Sequence, residues 1–232
     1  MYLLTETASP FALERWAAFF ANFGQFAKGF LYTLGISIGA LIVALLLGLI
    51  FGAMSSTHNK VLRAISRVYV EIFQNTPLLV QFVVVFYGIS ILTDGHVMIP
   101  ISLTAILCVG LYTGAYISEI IRTGIEAVPK GQTEAALSQG FTYADTMRLI
   151  ILPQAVRTIL PPLTNQVVNL IKNTSTVAII SGADIMFTAK AWAYDTTNYV
   201  PAFAGAAFLY FIMCFPLATW ARRKEEENKK AY

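Results

Sequence analysis

The fold is decided by the stretch GFLYTLGISIGALIVALLLGLIFGAMSST, residues 29–57, which contains no charged side chain. A helix of about 20 apolar residues crosses the roughly 30 Å of hydrocarbon in a bilayer, so this stretch is long enough to span a membrane. The chain as a whole is 56% hydrophobic and only 12% charged, whereas soluble domains carry about 25% charged residues. We therefore predict an all-α integral membrane protein, because open strands leave backbone groups unsatisfied in lipid.

Four further apolar stretches are long enough to cross a bilayer. The predicted spans, about five in all, are residues 29–55, 73–93, 98–121, 158–182 and 198–221. Pro161 and Pro162 are predicted to open the helix of the fourth span, because the first helical turn needs no amide donors. Cys108 and Cys214 lie in apolar surroundings without metal-ligand spacing, and we expect them to pack. The chain is treated as one transmembrane domain, residues 1–232.

The basic residues predict the orientation of these spans. With the amino terminus outside, all but four of the 16 lysines and arginines fall on the inner side, and the exceptions are Arg15, Lys28, Lys172 and Lys190. The positive-inside rule then favours an outer amino terminus and a cytoplasmic carboxyl terminus. The amino-terminal stretch 11–30 repeats aromatic residues at helical spacing, which fits either a helix in the outer interface or a ragged extension of the first span.

The largest inner loop, residues 122–153, is too polar to enter the bilayer. Glu134–Leu137 is a run of strong helix formers, Gly140 suits the position just after a helix, and Thr142–Met147 can open a second short helix. Two short helices joined at a glycine would form a compact cytoplasmic knob. A simple helical connector is an equally open interpretation of the composition.

Within this loop the run GQTEAALSQGFTYADTMRLIILPQAVR, residues 131–157, resembles the "EAA…G…I-LP" loop of permease subunits in type I ABC importers. The matching positions are Glu134, Ala135, Ala136, Gly140, Ile151, Leu152 and Pro153. Flanking motifs, NTPLLVQ at 75–81 and KNTS at 172–175, resemble the polar amino-acid branch of the histidine/glutamine type. Residues 138–141 and 176–184 depart from the usual sequence of that branch.

The resemblance implies a type I importer permease fold and a membrane-spanning permease subunit of an ATP-driven importer for polar amino acids such as glutamine, glutamate or aspartate. It also implies partners: a second permease subunit of the same or a different chain, two ATP-binding subunits that hold ATP and Mg²⁺, and an extracytoplasmic amino-acid-binding protein. The expected location is the bacterial cytoplasmic membrane.

The chain itself is predicted not to be an enzyme and to need no cofactor of its own. It lacks the GxxxxGK[ST] phosphate-binding loop, so ATP hydrolysis would be carried by a partner. The residues expected to couple to that ATPase, in structural rather than catalytic roles, are Gly131, Glu134, Ala135, Ala136 and Gly140. A net charge of +3 gives no indication of nucleic-acid binding.

Two sets of polar residues within the predicted spans recur at i, i+4, i+7 and therefore each lie on one helical face. The sets are Asn165, Asn169, Lys172 and Tyr112, Tyr116, Glu119. Because a zwitterion leaving water needs fixed polar partners, we predict that the substrate passes between these faces, with Gln81 as a weaker candidate. The alternative is that these side chains pack, join helices or lie near interfaces.

Two other classes of function compete with this interpretation. A secondary transporter driven by an ion gradient typically shows inverted repeats, and no segment of this sequence recurs. A channel-type or structural membrane subunit has no use for a polar cytoplasmic knob. Both remain alternatives at the level of the sequence.

Overall fold

The computed structural model describes residue 9 and residues 11–230, and in this part of the chain every regular element is helical. The α-helices are α1 (Leu13–Ala21), α2 (Phe23–Ser55), α3 (Lys60–Asn75), α4 (Leu78–Val83), α5 (Ile89–Leu92), α6 (Ile101–Glu126), α7 (Lys130–Ser138), α8 (Tyr143–Thr146), α9 (Leu152–Asn173), α10 (Ile185–Thr196) and α11 (Tyr199–Lys230). Two π-helical turns, Val84–Gly88 and Met147–Ile151, join α4 to α5 and α8 to α9, and a 3₁₀ segment, Thr174–Ile180, follows α9. The prediction of an all-α membrane protein is confirmed.

Within the described residues, three helices are long and apolar enough to cross a bilayer, namely α2, α6 and residues Tyr199–Arg223 of α11. A fourth candidate is the pair Lys60–Asn75 and Leu78–Leu92, which is bent by 100°. The predicted second span, residues 73–93, therefore contains the last turn of α3 and the bend that follows it, and it is not one straight helix. Thr76 has an extended backbone (φ −107°, ψ 127°) because it precedes Pro77, and proline disfavours a helical conformation in the residue before it.

The predicted fourth span, 158–182, fails the same test of length and apolarity, so three or four candidates stand where about five were expected. The helical part of this segment is α9, whose exposed polar side chains lower its hydropathy, and the rest is the 3₁₀ segment. The role assigned to Pro161 and Pro162 was wrong, since both lie inside α9. The α-helical part instead begins at Leu152, with Pro153 next to the junction with the π-helical turn Met147–Ile151.

Helices α2 and α6 form the central pair of the molecule. Glycines permit their close approach: a Cβ on Gly48 would lie 2.4 Å from the side chain of Ile117, and one on Gly52 would lie 2.8 Å from Ile121. The contacts advance in step along both helices, so α2 and α6 run parallel. Small residues at a helix interface are typical of membrane packing, where close backbone approach replaces the hydrophobic effect. Cys108 of α6 and Cys214 of α11 are buried among apolar side chains, as expected.

Helix α3 is fixed against this pair by hydrogen bonds to the backbone of its neighbours. The Ser66 hydroxyl donates to the carbonyl of Phe51 at 2.8 Å, and the Tyr69 hydroxyl donates to the carbonyl of Leu111 at 2.8 Å. One side of α3 therefore contacts α2 and α6. A second side stays exposed and charged, and it forms one wall of the groove described below.

At the end of the molecule opposite α7 and α8, the buried carboxylate of Asp184 joins α10 to the rest. It accepts hydrogen bonds from the amides of Met186 (2.9 Å) and Phe187 (3.2 Å), and from the Tyr210 hydroxyl (3.2 Å). Helix α1 also lies at this end. A break at Asn22 divides the predicted stretch 11–30: residues 13–21 form the separate helix α1, whereas residues 23–30 are the first turns of α2 and extend the first span.

Candidate functional site

The predicted knob is present as the helix pair α7–α8. Helix α7 ends at Gly140, which has a left-handed backbone (φ +88°) that glycine adopts without strain. The amide of Phe141 donates to the carbonyl of Ala136 at 3.2 Å, which closes the helix end in the usual glycine-terminated motif. The Thr142 hydroxyl then accepts from the amide of Asp145 at 3.2 Å and caps α8. The local sequence signals thus produce the turn that was expected of them.

The knob presents most of its candidate coupling residues to solvent. Ala136 is buried against the π-helical turn, whereas Gly131, Glu134, Ala135 and Gly140 are exposed. In the described part of the chain no side chain pairs with the Glu134 carboxylate. These four residues are therefore available to a partner, while Ala136 holds the knob together.

Two adjoining cavities of about 550 and 680 Å³ separate the knob from the transmembrane body. Their walls come from the turn between α2 and α3, the end of α6, and α7–α8, and Glu134 lines the larger one. The ring of His58 meets the edge of Tyr143 at a centroid distance of 5.2 Å and bridges the gap. Thr146, only 1% exposed, has an unpartnered hydroxyl among the described residues. The knob is thus joined to the body mainly through the π-helical turn that leads into α9.

A groove of about 880 Å³ lies between α3 and α6 and contains Arg122 with its two ion-pair partners, Glu119 and Glu126. Arg122 donates through Nε to Glu119 Oε2 at 3.0 Å, forms a second hydrogen bond to Glu119 through Nη2, and pairs with Glu126 through Nη1. The side chains of Arg122 and Glu119 are 31% and 40% exposed, so the pair faces the groove. Ser118 is 1% exposed, lines the same groove, and has an unpartnered hydroxyl among the described residues.

One predicted set of pathway residues is assembled on this helix. The hydroxyls of Tyr112 and Tyr116 lie 3.2 Å apart, both rings are half-buried, and Glu119 follows one turn further along α6. Arg122 belongs to this group although it was not among the predicted site residues. The signal was available, because an arginine three residues after a glutamate lies on the same helical face and pairs with it.

Arg67 and Gln74, on the opposite wall of the groove, were also missed. Gln74 donates to the carbonyl of Ala115 at 3.2 Å and so ties that wall to α6. No single-helix pattern reveals these two residues, because they lie on α3 and approach α6 only through tertiary packing.

The second predicted set is exposed on α9 and does not meet the first. Asn165, Asn169 and Lys172 are all exposed, and in the described residues no hydrogen bond or ion pair joins them to the polar residues of α6. Gln81 has a different position again, because its amide donates to the carbonyls of Phe73 (3.1 Å) and Thr76 (3.0 Å) at the bend after α3. Its contacts support the bend.

An apolar helical body, a polar groove with both signs of charge and a two-helix knob on one face define a membrane permease. Over residues 44–225 the chain matches the family described as the inner membrane component of binding-protein-dependent transport systems. The chain belongs to this family. It is the membrane-spanning permease subunit of an ABC transporter, in which a separate subunit hydrolyses ATP. The alternatives of a secondary transporter and a channel-type subunit are therefore excluded.

Named relatives agree with this assignment. The probable glutamine ABC transporter permease protein GlnM of Bacillus subtilis (strain 168) is 37% identical over 216 residues, which cover 92% of this chain and 97% of the relative. The glutamate/aspartate import permease protein GltJ of Escherichia coli (strain K12) is 33% identical over 208 residues, covering 82% and 85%. The resemblance to polar amino-acid permeases, inferred from the EAA-type loop and its flanks, is confirmed.

Solved structures give the same result. A crystal structure of an amino acid ABC transporter with histidines superposes with a TM-score of 0.84 at 31% sequence identity, covering 91% of this chain and 97% of that chain. An inward-facing form of the MetNI methionine ABC transporter superposes with a TM-score of 0.68 at 15% identity, covering 88% and 98%. The second likeness shows the shared fold alone.

Proposed function

We propose that the chain forms half of the translocation pathway of an ATP-driven importer for polar amino acids of the glutamine, glutamate or aspartate type. The substrate class is supported by the relatives, whose names specify glutamine and glutamate/aspartate. The complete importer contains a second permease subunit, two ATP-binding subunits that hold ATP and Mg²⁺, and an extracytoplasmic amino-acid-binding protein. It lies in the bacterial cytoplasmic membrane with the amino terminus outside and the carboxyl terminus in the cytoplasm.

The observation that carries this proposal is the knob. Glu134 and Ala135 are exposed on a helix whose end is fixed by Gly140, and the π-helical turn Met147–Ile151 connects the knob directly to α9. When ATP closes the ATP-binding subunits, the knob moves with them as a rigid body. Because α8, the π turn and α9 form one continuous helical path, that movement reaches the transmembrane helices.

The groove between α3 and α6 supplies the polar partners that a zwitterionic substrate needs. A free amino acid carries an α-carboxylate and an α-ammonium, and both lose hydration on entering the membrane. Arg122 offers donors to a carboxylate, and Glu119 offers acceptors to an ammonium group. Their mutual hydrogen bonds keep both charges satisfied when the groove holds no substrate. Asn165, Asn169 and Lys172 are exposed on α9 and have no polar contact with this groove in the described residues, so we propose them as a separate polar surface along the pathway.

The coupling role is tested by reversing one exposed charge on the knob. Glu134→Lys is expected to lower co-purification of the ATP-binding subunit in mild detergent and to abolish substrate-stimulated ATP hydrolysis. Glu14→Lys makes the same charge change on α1, at the opposite end of the molecule, and is the matched control. Normal assembly and normal stimulated ATPase activity in Glu134→Lys would contradict the proposed docking surface.

A further inference from the structure

Helix α1 is attached to the protein by one side. The Nη1 atom of Arg15 donates to the carbonyl of Thr197 at 2.8 Å and to Oδ1 of Asn198 at 3.1 Å. Both acceptors belong to the turn between α10 and α11, and Thr197 has a left-handed backbone there (φ 57°). Such a conformation is strained for a β-branched residue and persists only where its surroundings hold it. Arg15 is one of the groups that hold this turn.

Phe19 provides the apolar part of the attachment. Its side chain is only 4% exposed, and its ring centroid lies 4.7 Å from that of Phe26 and 6.0 Å from that of Trp192. A Cβ on Gly205 of α11 would lie 2.4 Å from the Phe19 ring, so the ring rests directly on the α11 backbone. Helix α1 is therefore seated in a specific place.

The opposite side of α1 is apolar and uncovered. Leu13, Ala17 and Phe20 recur at i, i+4, i+7 on one helical face, and Leu13 and Phe20 are 86% and 66% exposed. Phe23, the first residue of α2, continues this surface at 40% exposure. Large apolar side chains grouped on one exposed face indicate an interaction surface, because leaving them in water is unfavourable.

The surface is continuous with the side of α2 that no other described part of this chain covers. Phe23 shares a helical face with Leu31, Leu34 and Ile38, which are 66%, 37% and 53% exposed along this candidate span. As apolar residues of a candidate membrane span, these α2 side chains are suited to contact with acyl chains. The apolar face of α1 adjoins that row at the end of the molecule away from the knob.

We propose that α1 is an interfacial anchor that inserts Leu13, Phe20 and Phe23 into the outer leaflet, at the boundary of headgroups and acyl chains, while Arg15 and Phe19 fasten the α10–α11 turn to it. The occupant of the surface is phospholipid. Only the choice of leaflet rests on the orientation in the proposed function. The anchor holds the α10–α11 turn at a fixed depth while the knob moves at the other end of the molecule.

The depth of α1 is measured by site-directed spin labelling in bilayer nanodiscs. Phe20→Cys and the control Glu14→Cys are each labelled in a chain with Cys108 and Cys214 replaced by alanine. At position 20, collisions with dissolved oxygen are expected to exceed collisions with a water-soluble nickel chelate several-fold, and at position 14 the order reverses. Access of the nickel chelate to both labels would show α1 in water, and shielding of both from either reagent would show a protein partner. Either result overturns the proposal. If the Phe20→Cys variant does not fold, Phe23→Cys is labelled in its place.

The fastening of the turn is measured by amide hydrogen exchange in the same nanodiscs. Arg15→Gln is expected to raise exchange of the amides between α10 and α11 at least several-fold, whereas Glu14→Gln, one residue earlier on the exposed side, leaves them unchanged. Unchanged exchange in Arg15→Gln would show that α1 does not hold the turn. Neither measurement depends on transport, so failure here is distinguishable from failure of the proposed function.

Discussion

Two glycines in the knob provide a matched pair of substitutions with opposite expected effects. Gly140 has φ +88°, whereas Gly131 lies within helix α7, and a Cβ added at either position would meet no atom within 4 Å. Steric clashes therefore contribute nothing in either case, and backbone preference decides the outcome. Gly140→Ala forces a left-handed conformation on a residue with a Cβ, which costs roughly 1–2 kcal/mol. Gly131→Ala stabilises a helix by up to about 1 kcal/mol.

These energies change the equilibrium for local opening of the knob, which sets the rate of amide exchange. Since 1.4 kcal/mol is a factor of ten at 25 °C, Gly140→Ala should raise amide exchange in α7 and α8 by roughly 5- to 30-fold. Gly131→Ala should lower it by a few-fold at most, and Gly140→Asn should lie between wild type and Gly140→Ala, because asparagine tolerates the left-handed region. The same order is expected for loss of substrate-stimulated ATPase activity.

The measurement is hydrogen exchange of the permease in detergent without its ATP-binding subunits, read on peptides covering residues 130–146, with peptides from α2 as an internal reference. Equal exchange in the Gly140→Ala and Gly131→Ala variants would contradict the role of backbone preference, since within this chain both changes add the same methyl group to open space. A rise in exchange that extends to α2 would also refute it, because the strain would then unfold more than the knob.

Three further predictions concern the body of the protein. Arg122→Gln should reduce uptake of the transported amino acid by about tenfold or more, because a charge-assisted hydrogen bond to its α-carboxylate is worth roughly 1.5–3 kcal/mol, and Arg122→Lys should lose less. Equal initial uptake rates in the two variants would contradict this role. Gly48→Ala should lower the free energy of unfolding by about 1–3 kcal/mol, and with it the melting temperature in detergent, because its Cβ would lie 2.4 Å from the side chain of Ile117. Gly35→Ala is the control and should leave the melting temperature unchanged, because its Cβ would meet no atom within 4 Å. Asp184→Ala should lower the free energy of unfolding by about 1–2 kcal/mol, because α10 loses its amino-terminal cap. Asp184→Asn should restore much of that stability, and thermal unfolding of the two variants measures the difference.

The parts of the structure that follow from local chemistry could be predicted from the sequence. Gly140 ends α7 because only glycine takes φ +88° without strain, and Thr142 caps α8 because its hydroxyl reaches an amide three residues on. These signals act within a few residues and need no tertiary context. The apolar run at 29–57 likewise predicts one long helix, which is present as α2.

The errors arose where packing overrides local preference. Pro161 and Pro162 were expected to open a helix, yet α9 continues through them because its buried residues, such as Val168 and Ile171, pack against neighbouring helices. The bend after Asn75 is an exception, because it has a local signal: Pro77 disfavours a helical backbone at Thr76, and the uncharged stretch was nevertheless taken as one span. The ion pair of Glu119 with Arg122 could be found from helical spacing, but Arg67 comes to line the same groove only through the packing of α3 against α6.

The most direct test of the central claim is uptake by the assembled transporter in proteoliposomes. The complete complex, with its binding protein outside, is supplied with radiolabelled glutamine, glutamate and aspartate, and either ATP–Mg²⁺ inside or an imposed sodium or proton gradient. We predict accumulation of at least one of these amino acids against its gradient with internal ATP, and none with the ion gradient alone. Accumulation driven by an ion gradient without ATP, or ATP-driven uptake restricted to a solute that is not an amino acid, would contradict the claim.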